Sequence, residues 1–116
     1  MTPEQLKKRT FLFGQQIIAV CRSLVGPLES REIAMQLLDC GTSVGANYRA
    51  VCRARSKKEF IAKMGVAVEQ ADESEYWLAQ LLAAGFVKTS TGEPLRVEAE
   101  ELTAIFVASK KTAEGR

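Results

Sequence analysis

The sequence contains no histidine, and this absence removes the commonest catalytic base from a chain of 116 residues. Ser–His and Cys–His nucleophile pairs are therefore excluded, as are the Glu-x-x-His sites that hold two metal ions in helical bundles. The longest nearly uncharged run, residues 10–21, is too short to cross a bilayer. We therefore expect a non-catalytic protein with no metal or other cofactor, no small-molecule substrate and no membrane partner.

Cysteine is also scarce, with only Cys21, Cys40 and Cys52 present. Their number is odd and no two form a CxxC pair, so neither a disulfide framework nor a common metal motif is indicated. Each lies on or beside a predicted apolar helix face. We expect buried free thiols in a reducing environment, which predicts a cytoplasmic protein.

The residues that are present predict a helical domain. The chain is 47% hydrophobic and 26% charged, as is usual for a globular protein, and its length suits one domain, residues 1–116. Apolar residues recur at helical spacing, and no segment indicates a strand pair. The predicted fold is an all-α, up-down-up-down, left-handed four-helix bundle. Its helices are expected at about residues 3–24, 31–54, 57–84 and 94–112.

Local signals set these helix boundaries. Thr2 and Ser56 are predicted to open helices one and three as N-caps of capping boxes, and Ser30 to open helix two. Helix one is predicted to run to about Leu24 and to be closed by Gly26 and Pro27. The segment 88–94 is rich in Thr, Ser and Gly, and it is predicted to be a loop.

Two glycines stand one turn apart in helix two. Gly41 and Gly45 each cost about 1 kcal/mol of helix propensity relative to alanine. The loss is explained if a neighbouring helix approaches closely there. A loop or a ligand notch is the alternative.

Three polar residues lie near the predicted core. Ser43 and Asn47 flank the apolar side of helix two, and Glu75 projects toward the core from helix three. A carboxylate in that position is costly unless it is paired. We expect Ser43, Asn47 or an arginine to satisfy Glu75 in a structural polar contact. The alternative is a carboxylate-based enzyme site formed by Glu69, Glu73 and Glu75.

The charges are segregated along the chain. Residues 49–63 contain six bases and one acid, whereas residues 64–87 contain four acids and no base. The six bases, which we call the basic rim, are Arg49, Arg53, Arg55, Lys57, Lys58 and Lys63. One interpretation is that the rim contacts the phosphates of RNA or DNA. The other is a solvated surface, or pairing of these bases with acids of neighbouring helices or subunits.

Helix three carries an apolar stripe outside its core-facing side. Val66 and Trp77 lie nearly on one line of the helix, and Tyr76 points outward on the other side. Such residues on a charged helix predict a protein–protein contact, and we interpret Val66, Tyr76 and Trp77 as a homo-oligomer interface. In the alternative, helix four or the loop after Gly85 covers Trp77.

Two motifs in this region resemble a known family. The runs GTSVGANYRA (residues 41–50) and SKKEFIAKMGVAVEQADESEYWL (residues 56–78) are similar to those of the 23S rRNA-intervening sequence proteins, a bacterial four-helix-bundle family. The resemblance covers about two-thirds of the chain and implies a closed bundle that assembles as a homopentamer. The family is related to the accessory protein of diversity-generating retroelements, a basic pentamer that binds nucleic acid.

Three functions stay open from the sequence. The first is a non-catalytic homo-oligomer whose basic rim contacts RNA or DNA. The second is an oligomeric protein scaffold or adaptor in which charges pair between subunits and no nucleic acid binds. The third is the carboxylate-based enzyme, which the lack of histidine and of a metal-ligand cluster disfavours.

Overall fold

Four α-helices account for most of the chain in the computed structural model, which describes residues 1–115. They are α1 (Pro3–Ser23), α2 (Leu28–Cys52), α3 (Lys57–Ala83) and α4 (Thr89–Glu114). No strand occurs within residues 1–115. The helices pack in chain order into one domain of 47 × 20 × 19 Å. Of the helix pairs that lie side by side, α1 and α4 meet least extensively. The prediction of an all-α single domain is confirmed.

The core is formed by one side of each helix. Its largest fully buried side chains include Phe13, Leu37, Leu78 and Phe106, one from each helix in turn. The ring of Tyr48 stacks on that of Phe106 with a centroid distance of 5.6 Å, which joins α2 to α4. These residues lie at the helical spacing that the sequence predicted, because a helix buries one apolar stripe.

Close packing explains the glycines of α2. A Cβ atom on Gly41 would lie 2.7 Å from Cγ2 of Ile17, and one on Gly45 would lie 3.3 Å from the carbonyl oxygen of Thr10. No side chain fits between α1 and α2 at Gly41 without displacing Ile17. The predicted close approach of a neighbouring helix is therefore confirmed.

The N-caps of α1 and α3 are confirmed, but the predicted start of α2 is wrong. Thr2 forms a complete capping box with Gln5, and the Ser56 hydroxyl accepts a hydrogen bond from the backbone amide of Glu59. Helix α2 begins at Leu28 rather than near residue 31. Ser30 lies inside the helix, buried, and its hydroxyl donates to the carbonyl of Pro27. The fixed φ of proline makes Pro27 a suitable entry to the helix.

The predicted loop at residues 88–94 is also wrong, because α4 begins at Thr89. Gly92 is buried, and a Cβ atom there would lie 2.7 Å from Cδ2 of Leu82 and 2.8 Å from Cγ1 of Val87. The glycine thus lets the first turns of α4 pack onto the end of α3. This packing outweighs the poor helix propensity of Gly92 and Pro94.

Candidate nucleic-acid interface

The basic rim surrounds the turn between α2 and α3. Arg49 lies in the last turn of α2, Arg53 is its C-cap, and Lys57 and Lys58 form the first turn of α3. Five of the six side chains are exposed, and Lys63 is half-buried. The rim therefore presents its cations to solvent.

None of the six rim residues lies within 4.0 Å of an acidic group among residues 1–115. The acids of α4 pair elsewhere. Arg9 of α1 donates two hydrogen bonds of 2.6 Å to Glu98 and one of 3.2 Å to Glu101. Two carboxylates of α4 therefore form ion pairs with α1 and not with the basic rim.

The fold brings further lysines near the rim, of which Lys7 is paired with Glu4 and Lys110 with Glu114. Lys7 of α1 lines the same surface groove as Arg49. The end of α4 packs beside Lys57, where a cavity of about 590 Å³ is lined by Ser56, Lys57, Phe60, Ser109 and Thr112 among others. Lys110 and Lys111 follow Ser109 in that last part of α4. Sequence analysis missed these lysines because they are distant from residues 49–63 along the chain.

Glu75 lies against α4 rather than near Ser43 or Asn47. Its Oε2 accepts a hydrogen bond of 2.7 Å from Nη1 of Arg96. The Ser43 hydroxyl and the Asn47 amide instead donate to backbone carbonyls within α2, those of Asp39 and Ser43. The polar contact to Glu75 therefore joins α3 to α4.

Three carboxylates surround Arg96, and we call these four residues the Arg96 cluster. Besides Glu75, the guanidinium donates to Glu93 at 2.7 Å and to Glu100 at 3.1 Å. Partial burial and the nearby Glu100 raise the pKa of Glu75, and the charge of Arg96 acts in the opposite direction. The hydrogen bond from Arg96 lowers the pKa of Glu93.

The three carboxylates considered for an enzyme site do not converge on one point. Glu75 bonds to Arg96 of α4, whereas Glu69 and Glu73 are exposed to solvent. Glu73 and Glu75 are two residues apart on one helix, so they project to different sides. Within residues 1–115, no group of three His, Cys, Asp or Glu side chains is arranged to hold a metal ion.

The apolar residues predicted as an interface differ in exposure. Val66 and Tyr76 are 39% and 54% exposed, whereas Trp77 is partly buried and packs against the core. The Tyr76 and Trp77 rings meet edge to face with a centroid distance of 5.0 Å. The expectation that Trp77 points away from the core is therefore wrong, while Val66 and Tyr76 do face solvent.

The cysteines differ from one another. Cys40 is buried and Cys21 half-buried, and burial raises the pKa of the Cys21 thiol to about 11. The Cys21 thiol donates to the carbonyl of Ala34 on α2. Cys52 is exposed, so the expectation that all three thiols are buried is wrong.

No helix within residues 1–115 combines the length and apolarity that a bilayer crossing requires.

The fold and site define an all-α, four-helix domain with a cluster of free cations at one turn. The family model for 23S rRNA-intervening sequence protein matches residues 4–108, and the chain belongs to that family. A solved structure, that of a protein with unknown function from the S23 ribosomal protein family of Bacteroides thetaiotaomicron VPI-5482, is similar to it with a TM-score of 0.86 and 28% identity. That match covers 96% of this chain and 99% of the other. A search of curated proteins found no match.

Proposed function

We propose that this protein is a non-catalytic, self-associating four-helix bundle that contacts RNA through the basic rim. The observation that carries the proposal is the set of exposed cations without acidic partners at the α2–α3 turn. Such a set attracts phosphates and releases their counterions. The family is named for an intervening sequence of 23S rRNA, which favours RNA as the first ligand to test.

The position of Lys57 and Lys58 supports this proposal. Both lie in the first turn of α3, where the helix macrodipole already places positive charge. Lysines there destabilise the helix unless an anion binds, and a phosphate would gain from the dipole as well as from the lysines. Phe60 lines the adjacent cavity and offers a ring on which an unpaired base can stack.

We also propose that the helices run up-down-up-down in a left-handed bundle and that the bundle forms a homo-oligomer, with five copies as the family resemblance implies. Loops of four or five residues, 24–27, 53–56 and 84–88, join the helices. Loops this short favour antiparallel neighbours. The three free cysteines support a cytoplasmic location.

Fluorescence anisotropy with a structured RNA across a salt series tests RNA binding. We expect the logarithm of the affinity to fall linearly with the logarithm of salt concentration. Lys57→Gln/Lys58→Gln should reduce that slope by up to about two. Lys88→Glu changes the net charge by the same amount beyond the far end of α3, roughly 40 Å away, and should leave the slope unchanged. Absence of binding even at low salt would rule the proposal out.

A protein scaffold is the second candidate. Glu69, Asp72 and Glu73 are exposed, and none lies within 4.0 Å of a basic group among residues 1–115. Free acids and free bases on one domain are able to pair between subunits or with a protein partner. Recovery of one defined protein in a pull-down, unchanged after nuclease treatment, would favour this function over RNA binding.

A further inference from the structure

A groove runs along the outer side of the α1–α2 pair. It consists of two concave surfaces, of about 270 and 490 Å³, that share Ile18. Large apolar side chains line it, and among them Phe11 is 67%, Met35 66% and Leu38 40% exposed. We call this surface the α1/α2 groove. It is not covered by any other part of residues 1–115.

The groove has basic ends. Lys7, which is paired with Glu4 at 3.3 Å, and Arg49 line one of its two parts, and Arg22 and Arg31 line the other. Among residues 1–115, no acidic side chain lines either part. The groove therefore suits an elongated partner that is apolar along its contact line and negatively charged.

One helix of this chain has that character. Val66, Glu69, Glu73 and Tyr76 are all exposed and recur three, four and three residues apart, so they share one side of α3. We call them the acidic stripe. This side lies opposite the buried side of α3, which is formed by residues such as Ala71. Neither glutamate of the stripe has a cationic partner within residues 1–115.

We infer that the acidic stripe of one copy occupies the α1/α2 groove of the next copy. Val66 and Tyr76 would pack on Phe11, Met35 and Leu38, while the two glutamates face the bases that line the groove. The inference rests on the self-association in the proposed function, and it adds which two surfaces meet. Because the surfaces are different, the contact is heterologous and repeats head to tail, as in closed rings.

Complementation between two variants tests the inference. Met35→Glu places a negative charge in the groove and leaves the stripe intact. Tyr76→Glu removes an apolar residue from the stripe and leaves the groove intact. Both side chains are exposed, so each chain should fold, as checked by circular dichroism. If either is unfolded, Leu38→Glu or Val66→Glu replaces it. Val97→Glu, on α4 outside both surfaces, is the matched control.

Sedimentation velocity reports the outcome. We expect the wild-type chain and Val97→Glu to form the same multimer and each of the two test variants to be monomeric. An equimolar mixture of the test variants should form 1:1 dimers that do not grow, since only one intact groove and one intact stripe can pair. A mixture that stays monomeric, or a Met35→Glu chain that assembles as the wild type does, overturns the inference.

The two proposals fail differently. A monomeric wild-type chain overturns self-association and the groove–stripe contact together. A wild-type multimer that Met35→Glu leaves intact overturns only the groove–stripe contact. RNA binding is measured separately on the rim lysines, which line neither the groove nor the stripe. Arg49, which lies in both the rim and the groove, is left unchanged in every variant.

Discussion

At the scale of single residues, the effect of replacing a helical glycine depends on what surrounds the position that a Cβ atom would occupy. At Gly41 a Cβ atom would lie 2.7 to 3.2 Å from three atoms of Ile17, all of them in a fully buried side chain. At Gly65 the nearest atom is Cε of Lys110, at 3.5 Å, on a flexible side chain. The same substitution should therefore have opposite effects at the two positions.

Gly41→Ala should destabilise the domain, and Gly65→Ala should not. Overpacking of a core typically costs about 1–3 kcal/mol, which exceeds the gain of about 1 kcal/mol in helix propensity. Gly65→Ala should gain up to about 1 kcal/mol because no such overlap opposes it. Urea denaturation of the two variants measures both effects. If the two variants were equally stable, α1 would have to move away from residue 41 without any cost in folding free energy.

The Arg96 cluster gives the unfolding free energy a dependence on pH. Because the folded state raises the pKa of Glu75, this group contributes stability fully below its unfolded pKa and loses it as pH rises through the folded pKa. Glu93 has the opposite sign, since its pKa is lowered. Its contribution is present above the unfolded pKa and is lost as pH falls through the folded one.

Glu100→Gln should lower the pKa of Glu75. The substitution removes a neighbouring negative charge while keeping a side chain that can accept from Arg96. Titration of the glutamate carboxyl carbons by NMR from about pH 3 to 7 measures the shift. Glu101→Gln is the control, because Glu101 pairs with Arg9 and not with Arg96. An unchanged Glu75 titration in Glu100→Gln would mean that Glu100 does not contribute to the raised pKa of Glu75.

Sequence spacing anticipated that Glu75 needs a partner but could not say which one. Ser43, Asn47 and an arginine were all open. The choice of Arg96 depends on how α4 lies along α3, and therefore on the backbone of residues 84–88, where Gly85 adopts a φ of 79°. The position of α4 along α3 cannot be read from the residue pattern of either helix alone.

At the scale of the elements, periodicity predicted all four helices, whereas local signals misplaced two of their starts. Leu28 and Thr89 begin α2 and α4 ahead of the residues that looked like helix openers. Near Gly92, the turn-forming composition was misleading because burial against Leu82 and Val87 decides the conformation. Tertiary packing of this kind overrides propensity and cannot be seen before the partner helix is known.

Removing the two lysines from the first turn of α3 should raise the stability of the domain and weaken its binding to RNA. Replacing Lys57 and Lys58 with glutamine removes two cations from the positive end of the helix dipole, which should stabilise the domain by about 0.3–1 kcal/mol per residue at low salt. The same variant should bind RNA more weakly. Thermal unfolding in low and high salt measures the gain, which salt should reduce. A loss of stability would instead assign these lysines a structural role.

At the scale of the whole molecule, free bases collect around the α2–α3 turn, while many acids are held in ion pairs elsewhere. Arg9 with Glu98 and Arg96 with Glu75 are such pairs, and each joins α4 to another helix. Sequence analysis anticipated the rim because its residues are close along the chain. It could not anticipate the groove between α1 and α2, because that surface combines residues from Lys7 to Arg49 that meet only after folding.

Thermal unfolding of the wild-type chain should depend on protein concentration. Association couples to folding, so each tenfold rise in concentration should stabilise each chain by roughly 1 kcal/mol and raise the Tm by about 3–6 °C. Met35→Glu, which alters only the α1/α2 groove, should have a Tm that does not change with concentration. Differential scanning calorimetry over a hundredfold range measures both. A wild-type Tm independent of concentration would mean that exposed Phe11, Met35 and Leu38 face solvent in the native state.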